Sequence, residues 1–226
     1  MKTLTLNAVV LMAAAGLMAS CSSLDDNSSS GLTLLSKDRA MARSGASGFY
    51  PQPASVALQT ASGKLPKDRH GMPTYADSGQ RKRYVRTTAY SHMENEVGAY
   101  GRMNASGTVL KYGAVRRAAA DWSRYPVGTT FKIKGLPHTY VVDDYGSALV
   151  GTNTIDIYHP TLGSMKAWAT RPVEIHVVRW GSMERTVNLL KGRTKYPHCA
   201  RMYYAARRQL ASGRYASTEK PRRSSL

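Results

Sequence analysis

Asp156 lies in the stretch Ile155-Asp156-Ile157-Tyr158, a setting suited to proton transfer. In an extended strand, successive side chains alternate between faces. Ile155 and Ile157 then share one face and can hold the strand in a core. Asp156 and Tyr158 share the other face and can look into a groove. A carboxylic acid can protonate a leaving oxygen near neutral pH only if its pKa is raised above the ordinary aspartate value of about 4. Partial burial raises it, and a second carboxylate nearby raises it further. The competing reading is a surface aspartate on a half-exposed strand. Two further aspartates stand beside turn signals. Asp144 lies in Val142-Asp143-Asp144-Tyr145-Gly146-Ser147-Ala148-Leu149-Val150-Gly151, and Asp121 in Ala119-Ala120-Asp121-Trp122. Aspartate readily bonds nearby backbone N–H groups in turns, and Asp121 is assigned to that structural role. Asp143 is expected in solvent.

The elements that must position these residues are mostly strands. Tyr84–Tyr90, Thr129–Lys134, Thr139–Asp144, Thr154–Tyr158 and Pro172–Arg179 are rich in β-branched and aromatic residues. Turn signals punctuate them, among them Pro126-Val127-Gly128, Tyr145-Gly146, Gly151-Thr152-Asn153 and Pro160. Several short strands in about 100 residues suggest a small sandwich or closed barrel. After Trp180 the pattern turns helical. Pro197 can open a helix, Met202, Tyr203, Ala206 and Leu210 recur at helical spacing, and Gly213 can end it.

The three aspartates fall within three linked motifs. Ala119-Ala120-Asp121-Trp122 precedes Tyr125-Pro126-Val127-Gly128-Thr129; the Asp144 stretch follows; Ile155-Asp156-Ile157-Tyr158 comes third. Ala167-Trp168-Ala169-Thr170-Arg171-Pro172-Val173 closes the series. This order resembles the 3D-domain family, named for its three aspartates, which includes lytic transglycosylases and small muralytic proteins. The likeness covers about residues 86–180. It departs from the family pattern at Trp122, where a proline is usual, and at Tyr145, Ser147 and Ala169. The resemblance implies a mainly β domain, a small six-stranded double-psi β-barrel. It implies an enzyme that cleaves the glycan strands of peptidoglycan, with Asp156 as the single acid/base and Asp144 as its supporting partner. Asp121, Gly146 and Gly151 belong to its structural motif, and no cofactor is implied. Thr88, in Thr87-Thr88-Ala89-Tyr90, matches the opening strand; it either hydrogen-bonds near the acid or is strand filler. Tyr158, on the face of Asp156, is a candidate substrate-binding residue. The alternative function is a binding module that docks on glycan through the same groove without cutting it.

Other side chains carry weaker signals. The six histidines show no metal-ligand spacing, so no metal site is expected. His159 is expected to be a solvated loop residue or to line the groove. Trp122 and Trp168 can stack on sugar rings or fill a core. Cys199 is either a reactive nucleophile or a small buried residue on a helix.

The N-terminus indicates the compartment. Residues 4–18, LTLNAVVLMAAAGLM, form an apolar run too short for a comfortable membrane span but long enough for a signal-peptide core. Met18-Ala19-Ser20-Cys21 follows and resembles a lipobox, which makes Cys21 the lipidated first residue of a mature envelope protein. The competing reading is an ordinary secretory signal. The expected organisation is a signal peptide over 1–21, a flexible tether over 22–83 with a short helix near Leu32–Met41, the barrel over 84–181 and a helical, partly disordered basic tail over 182–226. That tail holds 11 Lys+Arg against 2 acids, half of the chain's net +18. Outside the inner membrane its partner is expected to be an anionic envelope polymer, not nucleic acid. The chain is thus expected to face the periplasm, lipid-anchored, with the outer membrane the favoured site. Its oligomeric state is left open.

Overall fold

The computed structural model describes residues 50–76, 78–94 and 101–213. Among the described residues there are six strands: β1 Lys82–Tyr90, β2 Val115–Ala119, β3 Thr130–Ile133, β4 Thr139–Asp144, β5 Thr154–Tyr158 and β6 Arg171–Arg179. They close into a ring in the order β1-β5-β2-β4-β3-β6. Two pairs are parallel, β1 with β5 and β2 with β4; the others are antiparallel. The ring is not a regular barrel. Register shifts interrupt β2 against β4 and β3 against β6, and β2 meets β5 through two residue pairs.

Ile155 and Ile157 of β5 point inward and are fully buried, as their alternation with Asp156 predicts. Val85, Phe131, Ile133, Val142, Val173, Ile175 and Val177 fill the same core. Each such side chain contributes roughly 1.5–3 kcal/mol on leaving water.

Among the described residues four α-helices flank the ring: α1 Val56–Gly63, α2 Leu162–Trp168, α3 Met183–Lys191 and α4 Pro197–Ala211. The described part is therefore mixed α/β, which corrects the expectation of a mainly β chain. The strand signals alone concealed α1 and α2. Ser182 caps α3, its hydroxyl accepting the Arg185 N–H at 3.0 Å. Met183, Thr186 and Leu190 form the buried face of α3. Pro197 stands in the first turn of α4, where its missing N–H costs nothing. Cys199, Met202 and Ala206 are its buried stripe. Gly181 lets α3 approach the ring: a Cβ there would collide with the carbonyls of Pro126 and Val127. No helix among the described residues is long and apolar enough to cross a membrane.

Residues 50–76 and 78–81, assigned by composition to the tether, pack against the strands. The Gln52 N–H donates to the Lys134 carbonyl at 2.9 Å and the Ser55 N–H to the Glu174 carboxylate at 2.9 Å. The Asn153 amide donates to the Pro73 carbonyl at 2.8 Å, and the Tyr84 N–H to the Tyr75 hydroxyl at 2.7 Å. Backbone groups and single polar side chains make these contacts, so no hydrophobic period announces them. The signal region, Cys21, Leu32–Met41 and residues 214–226 lie outside the described residues.

Candidate active site

The ring places four residues in one cross-strand row. Thr88 of β1 pairs with Asp156 of β5, Asp156 with Ala119 of β2, and Ala119 with Asp144 of β4. Adjacent strands lie about 4.8 Å apart, so the two aspartate backbones are about 10 Å apart. Ala119 puts only a methyl group on the row between them. The Thr88 hydroxyl donates to Asp156 Oδ1 at 2.6 Å. Two residues along β1, on the same face as Thr88, the Tyr90 hydroxyl donates to Asp144 Oδ2 at 3.2 Å. Asp144 Oδ1 accepts the N–H groups of Ala105 at 3.1 Å and Tyr145 at 2.9 Å.

A bulge lets the consecutive aspartates take different partners. Ala118 pairs with Val142 and Ala119 with Asp144, so Asp143 is the extra residue on β4. Asp143 is buried, not solvated as expected. It accepts from Arg117 Nη1 at 2.7 Å and from the Thr108 hydroxyl at 3.3 Å.

The electrostatics separate these carboxyls. Burial pushes Asp156 up to about 6. The Thr88 hydroxyl and the Arg86 charge act downward, while Glu94 and Asp144 add to the rise. Burial also raises Asp144, offset by the N–H groups of Ala105 and Tyr145 and the hydroxyl of Tyr90. Asp143 is lifted by burial to about 6 in spite of Arg117. Burial and the neighbouring Asp144 and Asp143 carboxylates hold the Tyr90 phenol protonated, so it acts as a donor. Asp156 is thus a half-buried acid that can be protonated near neutral pH and exchange its proton with a bound group.

The other expected residues fall in distinct places. Tyr158 is fully buried; its hydroxyl lies 2.9 Å from His92 Nδ1 and its ring 5.6 Å from that of Tyr90. Asp121 is buried and structural: Oδ1 accepts from the Ser123 N–H at 2.9 Å and hydroxyl at 2.6 Å, and Oδ2 from the Gly151 N–H at 2.7 Å. Gly151 turns at φ +80°, where a side chain is strained, whereas Gly146 is extended at φ −131°. Trp122 is buried, its indole N–H donating to the Asp144 carbonyl at 2.7 Å. Trp168 is buried and its indole N–H reaches the Thr87 hydroxyl at 3.3 Å. His159 is buried, which corrects the solvated reading. Its Nδ1 lies 3.3 Å from the Tyr112 hydroxyl, and burial with Arg116 and Arg171 brings it down to about 4. Cys199 is a buried helix residue whose thiol reaches the Tyr145 hydroxyl at 3.3 Å.

Sequence reasoning missed Tyr90, Glu94 and Ala105. Tyr90 was findable, because period 2 from Thr88 puts it on the same face. Ala105 contributes only its backbone N–H, which has no sequence signature. The chain matches no family model and no curated protein.

Proposed function

We propose that this protein is a glycan-strand-cleaving enzyme of the 3D-domain type, acting on peptidoglycan with Asp156 as its acid/base. One observation carries the reading: a half-buried carboxyl at about 6, fixed by a hydroxyl at 2.6 Å, in register with a second carboxyl across one alanine. The mixed closed ring, with β1 parallel to β5 and β2 parallel to β4, favours a double-psi barrel. The strongest support for glycan as substrate is the resemblance of the three aspartate motifs.

Asp156 gives its proton to the bridging glycosidic oxygen as the C1–O bond breaks. Positive charge then develops at C1, and the Asp144 carboxylate lies on the same row to stabilise it. The sugar's own C6 hydroxyl attacks C1, and its proton returns to Asp156. The product is a 1,6-anhydro sugar, and no separate nucleophile or cofactor is required. The Thr88 hydroxyl fixes the acid, and the buried Tyr158 ring packs against Tyr90, the donor to Asp144. Lipidation at Cys21 would tether this domain to the envelope, outer membrane included, and the basic tail would add attraction to anionic polymer there.

The test is release of soluble muropeptides from purified sacculi, read by mass spectrometry. Products one water lighter than the hydrolytic species are expected. Reducing-end products would replace the internal C6 attack with water attack, with Asp144 as the group activating water. Binding to sacculi without any product from the wild type would sink the enzymatic reading and leave a glycan-binding module.

A further inference from the structure

A cavity of about 450 Å³ opens where both flanks of the ring meet the end of β2. Four separate segments line it: residues 65–76, 121–124, 150–151 and the 201–209 part of α4. None of Asp156, Asp144, Thr88 or Tyr90 borders it. Its size falls within the range of small-molecule sites.

Leu65, Pro66, Val150 and Ala205 give it an apolar wall. Its charged lining residues are Asp121, Arg124 and Arg201. Asp121 is engaged by Ser123 and Gly151, and Arg124 Nε lies 3.8 Å from the same carboxylate. These two charges offset each other. Arg201 makes no hydrogen bond or ion pair among the described residues. It adds one uncompensated guanidinium to an apolar recess, and a guanidinium pairs best with a planar carboxylate.

We propose that this cavity is a binding site for a small molecule that carries one carboxylate on a short apolar body, with Arg201 holding the carboxylate. Two sources share that chemistry: the C-terminus of a short peptide built from small aliphatic residues, and a short fatty acid. The site stands apart from the proposed cleavage chemistry and does not depend on it.

Isothermal titration calorimetry with the full chain tests it. Acetyl-D-alanyl-D-alanine is the peptide probe and octanoate the fatty-acid probe; the peptide amide and octanol are their neutral controls. One acid is expected to bind and its neutral control not, and the acid that binds names the source. Arg201 is exposed on a helix, so Arg201→Gln keeps the fold and should weaken the acid by about tenfold or more, as loss of a charge-assisted hydrogen bond does. Ala205→Leu fills the recess without touching the charge and should also abolish binding. Asp156→Asn should bind like the wild type, so loss of cleavage and loss of binding separate. Equal binding of acid and neutral control, unchanged binding in Arg201→Gln, or no heat from either acid at millimolar concentration overturns the proposal.

Discussion

Asp121, two residues beyond β2, and Asp156, on the neighbouring β5, have opposite surroundings. Asp121 is buried among three hydrogen-bond donors and a guanidinium, and its carboxylate ties the end of β2 to the turn before β5. Asp156 takes one hydrogen bond among the described residues, from Thr88. A carboxylate whose oxygens are engaged by several donors ties together the chain segments that supply them; one with a single partner keeps lone pairs free for a bound group. The number of donors, not burial alone, separates the two roles.

The largest effect should come from exchanging the acid. Asp156→Asn keeps the shape but cannot donate and reclaim a proton, so muropeptide release should fall by about 10²–10⁴-fold. Asp121→Ala should behave differently. It strands the Gly151 and Ser123 N–H groups and should cost about 2–4 kcal/mol of stability in a denaturant titration. Activity per folded molecule should survive it. If Asp121→Ala abolished activity without loss of stability, the comparison would collapse.

A smaller effect concerns stability and pH. The folded-state pKa of Asp156 is raised from 3.8 to about 6. Between these values the folded protein holds a proton that the unfolded chain has lost, so the carboxyl weakens the fold as pH rises through about 6. Asp156→Asn should therefore stabilise the protein at pH 7.5, on the order of 1–2 kcal/mol after allowing for partial exposure. That advantage should vanish near pH 4, where the wild-type carboxyl is protonated. Thermal melts at the two pH values check it, and an equal advantage at both would refute the raised acid.

The smallest effect is at Thr88. Its hydroxyl stabilises the charged form of Asp156 and holds the pKa down. Thr88→Val should move the activity limb near pH 6 upward by less than about one pH unit, since one neutral hydrogen bond is worth about 1 kcal/mol. Wild-type activity should rise as pH falls through that limb, because the acid must be protonated.

Much of this site was legible before the fold. The alternation in Ile155-Asp156-Ile157 gave the inward isoleucines and the outward acid, and five of the six strands carry β-branched runs. β2 did not. Val115-Arg116-Arg117-Ala118-Ala119 has little β-propensity, and its place is fixed by pairing with β4 and β5 on either side. The consecutive aspartates 143 and 144 look alike in sequence, and only the bulge decides which meets Arg117. Tyr158 shares the alternation of Asp156, yet Tyr90 at the end of β1 and His92 in the turn after it lie against it. The segment from residue 50 to β1 packs through backbone hydrogen bonds and lone side chains, a kind of contact that composition does not register.

The ring is sealed by its first strand, because β1 bonds to both β5 and β6. Thr88 meets a partner 68 residues downstream, and the Ser55 N–H one 119 residues downstream. Contacts of such long range slow folding, since the loops must close before the pairings repay them. As a ribosome or a translocation pore feeds the chain out from its N-terminus, β1 must wait, unpaired on both edges, until β5 and β6 have emerged. The acid therefore cannot be assembled on a partial chain: Asp156 gains its hydroxyl partner only when the last strands arrive.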